Sequence, residues 1–306
     1  MSWFSQLDKW TKDYLPDMQM LRDEPLSRHS SFRIGGPAKR FASPADTQQL
    51  ILLENYAREC GGRPLLIGNG TNILFPDEGL DRLVISTREM AGVQMGDNEL
   101  EVTAGAGASL AKVAVFACQR GLAGLAFAHG IPGSVGGAVC MNAGAYGGEM
   151  QHVVKNVVVL FPEEGIRTLT NEEMKFGYRR SILNDRPEGV VLSAAFALTK
   201  GNSEEIKGEM DALMEKRHAS QPLELPSAGS TFKRPEGHFA GALIEQTGCK
   251  GLQVGGAQVS TKHAGFVVNV SNATARDVKE LIAQVQKRVF DATGVTLEPE
   301  VKIVEE

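Results

Sequence analysis

Residues 130–138 read Gly-Ile-Pro-Gly-Ser-Val-Gly-Gly-Ala, and glycine-rich sequence continues from there to Gly148. Side chains cover little of the backbone in such a stretch, so its amide N–H groups can surround a phosphate without any lysine. The same composition is also typical of a tightly packed structural loop. The rest of the sequence must therefore decide between an anion-binding turn and a purely structural one.

A second glycine turn, residues 68–72 with the sequence Gly-Asn-Gly-Thr-Asn, follows an apolar segment that we predict to be a strand. Two turns of this kind could hold the two ends of a dinucleotide. Neither is a Rossmann fingerprint, because residues 105–110 lack the third glycine of that motif, and there is no P-loop lysine pattern. We therefore predict nucleotide binding by a different fold.

The predicted order of helices and strands indicates an α/β or an α+β chain. Ser43, followed by a proline and an acid, predicts a helix with Ser43 as its N-cap and an end at Gly61-Gly62. Strands are predicted at residues 65–67, 83–86, 100–104, 153–160 and 189–199, and a further helix at 109–120.

The chain is predicted to have a helical lead-in at residues 1–29, a glycine-rich region at 30–199 and a C-terminal domain at 200–306. The glycine-rich region divides into lobes of about 30–80 and 81–199. The C-terminal domain contains a polar helix ending near His218, an amphipathic helix at 275–290 and a strand at 296–304. Thr274 and Asp277 resemble a capping box, and Gly294 ends the helix.

Composition excludes several classes of protein. A formal net charge of −5 argues against nucleic-acid binding, which normally needs a basic surface. The four cysteines are scattered singly and the six histidines lack metal-ligand spacing, so we predict reduced thiols and no metal site. Because no segment resembles a signal peptide or a membrane span, we expect a cytoplasmic protein that does not bind membranes, and we expect a monomer.

Two segments carry cations beside aromatic or hydroxyl groups. Tyr178-Arg179 could hold a carboxylate through a guanidinium fork. In residues 227–235, Ser230 lies close to Lys233 and Arg234. Since the sequence lacks a Gly-x-Ser-x-Gly elbow, Ser230 is better suited to donating a proton than to nucleophilic attack. Each segment taken alone is also typical of a solvated loop.

A third segment places acids near the C-terminus. Glu298, Glu300 and Lys302 would share one face of the predicted final strand, and Pro299 suggests that this strand lies at a sheet edge. Charges on an exposed edge strand usually have no role beyond solvation, so this segment alone predicts no chemistry.

Six segments nevertheless occur in a characteristic order: residues 31–38, 68–72, 130–150, 178–179, 226–232 and 297–301. From about Ser30 to Val304 the sequence thereby resembles the UDP-N-acetylenolpyruvoylglucosamine reductases of peptidoglycan synthesis. Any one segment is a weak signal, whereas six in the same order are specific.

The resemblance implies a two-lobed FAD-binding domain of the vanillyl-alcohol-oxidase (PCMH) type and a C-terminal α/β substrate-binding domain. NADPH would donate a hydride, which passes through the flavin to the methylene carbon of UDP-N-acetylglucosamine enolpyruvate. Arg179 and Glu300 would stabilise the negative charge that forms next to the substrate carboxylate. Ser230 would donate the proton that neutralises it, assisted by a cation such as Lys233.

The resemblance also implies binding residues. The substrate-binding candidates are Tyr178, Lys233 and Arg234. The FAD-binding candidates are Arg33, Gly68, Asn69, Gly70, Thr71, Asn72, Pro132, Gly133, Ser134, Gly136, Gly137, Asn142 and Ala143.

Arg234 departs from the family pattern, because many relatives have an asparagine before this proline. The chain is also too short after Tyr178 for the extra tyrosine loop of longer relatives, which indicates the compact type. Two alternatives stay open: another flavoprotein oxidoreductase of the same fold, acting on a hydroxy acid or an alcohol, and a catalytically silent UDP-sugar-binding protein.

Overall fold

The computed structural model describes residues 2–305, so Met1 and Glu306, the outer limits of the predicted lead-in and C-terminal domain, lie outside the described residues. Within that range the α-helices are α1 Trp3–Tyr14, α2 Thr47–Glu59, α3 Leu110–Cys118, α4 Val135–Cys140, α5 Ser203–Ser220, α6 Ala240–Gln246 and α7 Ala275–Thr293. Short 3₁₀ helices span Leu26–His29, Ala126–Ala128, Met150–His152 and Ile182–Asn184.

The strands lie between and after these helices in groups of one to five along the described chain. They are β1 Gln19–Pro25, β2 Pro37–Ser43, β3 Leu65–Ile67, β4 Ile73–Leu74, β5 Leu80–Ser86, β6 Val93–Met95, β7 Glu101–Gly105, β8 Leu122–Ala123, β9 Gly144–Ala145, β10 Gly148–Glu149, β11 Val154–Phe161, β12 Gly165–Thr170, β13 Val190–Ala197, β14 Thr199–Lys200, β15 Ser227–Ser230, β16 Gln253–Val254, β17 Ala257–Val259, β18 Phe266–Asn269 and β19 Lys302–Ile303.

The chain forms two compact units, and four of the five divisions between them fall inside β1, β2, β5 and α5, while the fifth lies between Asn69 and Gly70. Unit 1 contains residues 1–22, 40–69 and 82–216, and unit 2 contains residues 23–39, 70–81 and 217–306. Segments 23–39 and 70–81 therefore belong with the C-terminal residues, whereas the sequence predicted residues 23–29 in the lead-in and residues 30–39 and 70–81 in the glycine-rich region. Both the domain limits and the lobes expected from the sequence differ from this division.

Unit 1 is built around a five-stranded sheet with the order β12-β11-β13-β7-β6. Apolar, β-branched residues make β11 and β13 suitable for the centre of a sheet, and each pairs with a strand on both sides. Helices α3 and α4 pack their buried residues, such as Val113 and Val139, into the same core. A second apolar cluster joins α1 and α2 through Leu7, Leu50 and Leu53.

Unit 2 contains a four-stranded sheet with the order β15-β18-β17-β16 and the short parallel pair β4 and β19. Its core is closed by α7, whose buried side chains recur every three or four residues. The buried residues of α7 are Ala275, Val278, Leu281, Ile282, Val285 and Val289.

Three local predictions from the sequence were wrong. Asp46 rather than Ser43 caps α2, because its side chain accepts from the Gln49 N–H while Ser43 ends β2. The helical lead-in ends at Tyr14, and residues 19–25 form β1 instead. The final strand is limited to Lys302–Ile303, with an isolated bridge at Pro299, since proline cannot donate to a ladder.

The predicted start and end of α7 were confirmed. Thr274 and Asp277 exchange the hydrogen bonds of a capping box, and Gly294 ends the helix at a φ of 72°. Hydrogen bonding to the Thr274 N–H lowers the pKa of Asp277. The sequence did not reveal that Asp77 also caps this helix, accepting from the N–H groups of Ala275 at 2.7 Å and Arg276 at 3.1 Å.

We expect Asp77→Ala to lower the free energy of unfolding by about 1 kcal/mol, because two N–H groups at the helix start would lose their acceptor. Asp291→Ala is the matched control, since Asp291 lies near the end of the same helix and makes only an exposed ion pair with Lys287. Its effect should stay within about 0.5 kcal/mol. Urea denaturation measures both, and equal losses would contradict the capping role of Asp77.

Candidate active site

Two of the predicted FAD-binding turns meet in unit 1. A Cβ atom on Gly68 would lie 2.0 Å from Ser134 Oγ, so the backbone of the first turn approaches the second only because residue 68 has no side chain. Ser134 is buried and caps α4 by accepting from the Gly137 N–H. The sequence predicted two separate cradles, and the structure brings Gly68 and Ser134 into direct contact.

Most backbone N–H groups of the second turn, residues 130–137, donate to oxygens of the protein. An exposed Pro132 lies at the centre of a tight turn in which the Gly133 N–H donates to Ile131 O at 2.8 Å. Within residues 2–305, the N–H groups of Gly130 and Ser134 have no protein acceptor. Those of Ile131, Gly133, Val135, Gly136 and Gly137 donate to oxygens inside unit 1. This turn thus offers an anion fewer donors than its sequence suggests.

Arg88 is a neighbour of the first turn that the sequence did not reveal. It is exposed at the end of β5, and its Nη2 donates to Asn69 O at 2.9 Å. The guanidinium has further N–H donors. The first turn of unit 1 therefore combines a close backbone approach with a cation, which is the combination that a diphosphate requires.

The other half of the first turn belongs to unit 2. Gly70 has a φ of +64°, and a Cβ there would lie 1.9 Å from His29 O. Thr71 follows it, half-buried. Asn72 Nδ2 donates to Glu300 O at 3.1 Å, and Asn72 O accepts from the Lys302 N–H at 3.0 Å. Asn72 is thereby tied to the segment that carries Glu300.

Arg33 also lies in unit 2, on an exposed turn. Its φ of +57° is unusual for a residue with a side chain, and its N–H donates to Ser30 O at 3.1 Å. The neighbouring Phe32 is buried and its carbonyl accepts from Asn269 Nδ2 at 3.1 Å. The turn is therefore fixed at its base while the Arg33 side chain remains exposed.

Asn142 and Ala143 are buried in unit 1. Asn142 adopts a φ of +45°, and its amide donates to Glu149 Oε2 and to Gly177 O, both at 3.0 Å, while Oδ1 accepts from the Gln151 N–H at 2.9 Å. Its side chain is thus committed to protein partners. Ala143 is linked to Ala138 O by its backbone N–H.

Tyr178 and Arg179 form the tip of a two-residue hairpin in unit 1. Gly177 and Arg180 exchange N–H to C=O bonds of 3.0 and 3.1 Å at its base. Arg179 adopts a φ of +53°, Nη2 donates to Gly144 O at 3.3 Å, and the guanidinium lies 5.1 Å from the exposed Tyr178 ring. Left-handed backbone at a non-glycine residue costs energy and is often found at functional sites.

Ser230 and Glu300 are joined in unit 2 through Thr231. The Thr231 carbonyl accepts from the Glu300 N–H at 2.8 Å, and the Thr231 N–H donates to Gly265 O at 2.8 Å. Ser230 is exposed at the end of β15, where a register shift lies between Ser227 and Ser230. Glu300 is partly buried. Two predicted catalytic residues from opposite ends of the C-terminal sequence thus share one backbone connection.

Lys233 and Arg234 follow on the same segment but face protein groups. Lys233 forms an ion pair with Glu298, and its N–H donates to Glu298 O at 2.8 Å. Arg234 is exposed, stacks 4.0 Å from the Phe239 ring centroid and donates through Nε to His238 O at 3.3 Å. Lys233, the cation expected to assist Ser230, is therefore held in an ion pair by Glu298.

The sequence did not single out four residues that support this chemistry: Arg88, Glu149, Gln151 and Thr231. Of these, only Glu149 lies within a segment that the resemblance covers and carries a charge. Among residues 2–305 there is no group of three His, Cys, Asp or Glu side chains that could hold a metal ion. No helix in the same range is long and apolar enough to cross a membrane.

The chain contains the cofactor domain of a flavoprotein. The family model described as "FAD binding domain" matches residues 38–170, which include the turns at Gly68 and Ser134. The missing Cβ at Gly68, the open amides and Arg88 fit the diphosphate of such a cofactor. A second family model, "UDP-N-acetylenolpyruvoylglucosamine reductase, C-terminal domain", matches residues 221–304.

The chain belongs to the UDP-N-acetylenolpyruvoylglucosamine reductase family. A relative of this name from Limosilactobacillus reuteri is 49% identical, with 94% of this chain and 96% of the relative covered. One from Caldanaerobacter subterraneus is 47% identical, with 96% and 97% covered. The crystal structure of the Thermus caldophilus reductase matches with a TM-score of 0.80 and 34% identity, covering 94% of this chain and 99% of that chain.

The predicted fold class, a PCMH-type FAD-binding domain with a C-terminal domain of this family, was confirmed.

We expect Gly68→Ala to weaken FAD binding at least about tenfold, because Ser134 Oγ must rotate away from the Gly137 N–H to admit the new methyl group. Gly208→Ala is the control: it lies in α5 with no atom within 4 Å of an added Cβ. Flavin fluorescence titration of the apoprotein gives both dissociation constants. Wild-type affinity in Gly68→Ala would contradict the proposed cradle.

Proposed function

We propose that this chain reduces UDP-N-acetylglucosamine enolpyruvate to UDP-N-acetylmuramate with NADPH as hydride donor. Relatives of the reductase name match along 94% or more of the chain. The observation that carries the proposal is the backbone link that joins Ser230 to Glu300 through Thr231. That link fixes the backbone of Glu300 to that of the residue after Ser230, and these two residues are the proposed charge-stabilising group and general acid.

FAD, when bound, supplies the redox step by accepting a hydride from NADPH and passing it to the substrate methylene carbon. Residues of both glycine-rich turns are proposed to hold it. Arg88 joins them because its guanidinium lies against Asn69 O. The remaining FAD-binding proposals are Arg33, Gly68, Asn69, Gly70, Thr71, Asn72, Pro132, Gly133, Ser134, Gly136, Gly137, Ala143 and, through its backbone only, Asn142.

Arg179 is proposed to bind the substrate carboxylate. A guanidinium fork matches the two carboxylate oxygens and favours the form of the substrate in which negative charge spreads onto them. The hairpin fixes the backbone of Arg179 in an unusual conformation, and the bond to Gly144 O fixes part of its side chain. Both constraints reduce the entropy lost when the carboxylate binds.

Ser230 is proposed to donate a proton to the carbon next to the carboxylate. The hydride and this proton together convert the enolpyruvyl C=C bond to a single bond, and the serine then regains a proton from solvent. A hydroxyl is a weak acid in water, so the substrate must cover the exposed Ser230 before transfer. Lys233 is held by Glu298, and its role near Ser230 requires that it exchange this partner.

Glu300 is proposed to stabilise the same charge by hydrogen bonding in its protonated form, since a carboxylate would repel it. Its backbone position is fixed twice, by its N–H to Thr231 O and by its carbonyl to Asn72 Nδ2. Small displacements of a catalytic group reduce rates strongly, so this double attachment favours a catalytic role over that of a solvated edge charge.

Tyr178, Lys233 and Arg234 are proposed to contact the UDP-sugar. Arg234 and Phe239 form an exposed stacked pair, which offers a flat cationic surface to a nucleotide.

We also propose a monomer in the cytoplasm. Cys60, Cys118 and Cys249 are free thiols, which is typical of a protein in a reducing compartment.

The two alternatives left open by the sequence are disfavoured. A different flavoprotein oxidoreductase would not need an arginine, a serine and a glutamate at these three positions. A silent UDP-sugar-binding protein would not need to retain Ser230 and Glu300 on one backbone link.

Incubation of the FAD-loaded protein with NADPH and the enolpyruvyl UDP-sugar should yield a product that gains two hydrogen atoms. In deuterium oxide with unlabelled NADPH, one deuterium should be found on the carbon next to the carboxylate, because the Ser230 hydroxyl exchanges its proton with solvent. Mass spectrometry and proton NMR of the product measure both. Absence of product, or hydrogen in place of deuterium at that carbon, would contradict the proposal.

Ser230→Ala should leave flavin reduction by NADPH within about twofold of wild type while slowing flavin reoxidation by substrate about 100- to 10,000-fold, the usual contribution of a general acid. Ser227→Ala, in the same strand, is the control and should change neither rate by more than about twofold. Stopped-flow absorbance separates the two half-reactions. Equal loss in both half-reactions for Ser230→Ala would show that its role was misassigned.

Glu300→Gln should slow reoxidation by about 100-fold or less, because an amide keeps one hydrogen-bond donor. Glu298→Gln, two residues earlier and paired with Lys233, is the matched control. The same stopped-flow assay applies. A larger defect in Glu298→Gln than in Glu300→Gln would transfer the catalytic role to the Lys233–Glu298 pair.

A further inference from the structure

Asn142 is a buried polar residue with every side-chain hydrogen-bonding group engaged inside unit 1. It is fully buried at 0% exposure and adopts a φ of +45°, a conformation that asparagine tolerates better than most residues. Its Nδ2 donates to Glu149 Oε2 and Gly177 O, and its Oδ1 accepts from the Gln151 N–H. A residue used in this way has no side-chain atom left for a cofactor.

The orientation of the Asn142 amide is determined by its neighbours. Glu149 Oε2 also accepts from Gln151 Nε2 at 2.9 Å, so this carboxylate receives two donors. The Gln151 N–H can only donate and Gly177 O can only accept, so the NH₂ end of Asn142 faces Gly177 O and Glu149 Oε2. The same NH₂ group then points its second hydrogen at Gly177 O, and the Oδ1 atom faces the Gln151 N–H.

Gly177 O is the base of the hairpin that carries Arg179. The Gly177 carbonyl accepts from the Arg180 N–H at 3.1 Å and from Asn142 at 3.0 Å, so both of its lone pairs are used. On the far side of the hairpin, Ser181 Oγ donates to Cys140 O at 2.7 Å. The two ends of the hairpin are therefore attached to the segment 140–142.

Arg179 itself closes the connection. Its Nη2 donates to Gly144 O, two residues after Asn142. A Cβ on Gly144 would lie 2.6 Å from Glu149 Cγ, so this residue cannot gain a side chain while Glu149 keeps its place. One short segment thus holds the hairpin at its base through Asn142 and at its tip through Gly144.

We propose that Asn142 is a positioning residue for Arg179: its bond to Gly177 O sets the direction in which the guanidinium meets the substrate carboxylate. This inference rests on the proposed function of Arg179. Glu149 and Gln151 act behind Asn142 by fixing its amide. The Asn142 side chain therefore influences the half-reaction in which substrate is reduced, whereas any contact with FAD comes from its backbone, which a change of side chain leaves in place.

Asn142→Asp is the direct test, because it keeps the shape of the side chain and its tolerance of the φ value but removes the donor to Gly177 O. We expect reoxidation of reduced flavin at saturating substrate to slow by about 10- to 100-fold, the effect of a small misplacement of a reacting group. The FAD dissociation constant and the rate of reduction by NADPH should stay within about twofold.

Asn142→Asp combined with Glu149→Gln distinguishes positioning from simple damage to the fold. In the double variant the amide introduced at position 149 can donate to the carboxylate introduced at position 142, so the buried pair is restored while Gly177 O still lacks its donor. We expect the melting temperature to recover and the reoxidation rate to remain slow. Asn202→Asp, an N-cap that uses only its Oδ1 as acceptor for Glu204 and Glu205, is the matched control and should leave all these values unchanged.

Recovery of the reoxidation rate in the double variant would overturn the proposal, because buried charge and not the bond to Gly177 O would explain the defect. A parallel loss of FAD affinity in Asn142→Asp would also overturn it, in favour of a cofactor-binding role. The wild-type protein distinguishes failure of this inference from failure of the proposed function. If the proposed function is wrong, the enolpyruvyl UDP-sugar will not reoxidise the flavin of the wild-type protein.

Discussion

The hydrogen bond from the Glu300 N–H to Thr231 O is the interaction on which the proposed chemistry of unit 2 depends. It joins a loop that follows β15 to the segment before β19, and it places Ser230 one residue from the acceptor and Glu300 at the donor. The buried Thr231 side chain adds a second attachment by accepting from the Val267 N–H at 2.9 Å. Backbone hydrogen bonds of this kind fix the position of a residue and leave the polar groups of its side chain available.

Unit 1 follows the same principle with different means. The contact between Gly68 and Ser134 depends on a missing side chain, and the Arg179 hairpin depends on carbonyl groups that accept from Asn142 and from Arg179. In each case a polar or glycine residue outside the chemistry fixes the backbone beside it. The segment 130–181 therefore contains three kinds of residue in mixed order. Some are proposed to bind FAD, some to bind substrate, and some to hold these binding residues in place.

The sequence predicted the elements whose signals are local. Runs of β-branched residues identified β11 and β13, and the capping box of α7 needs only four consecutive residues. Predictions failed where a distant residue or a competing element decided the outcome. Ser43 is used by β2, so the next available cap, Asp46, begins α2, and the cap of α7 by Asp77 spans 198 residues. No local pattern records such contacts.

The sequence motifs predicted candidate site residues but not the residues that hold them in place. The roles of Arg179, Ser230 and Glu300 follow from the family resemblance and stay predictions. The motifs did not identify Thr231, which acts through its carbonyl, or Arg88, which lies outside the motifs. They also assigned Asn142 to the cofactor, a role that stays a prediction and that would have to come from its backbone, since its side chain is fully bonded to protein.

An anaerobic spectral titration of the FAD-loaded wild-type protein tests the central claim most directly. The account predicts that one equivalent of NADPH bleaches the flavin bands and that one equivalent of the enolpyruvyl UDP-sugar restores them. UDP-N-acetylglucosamine, which lacks the enolpyruvyl group, should leave the bleached spectrum unchanged. Flavin that stays reduced after the enolpyruvyl UDP-sugar is added would contradict the account, because Arg179, Ser230 and Glu300 would then act on a different substrate.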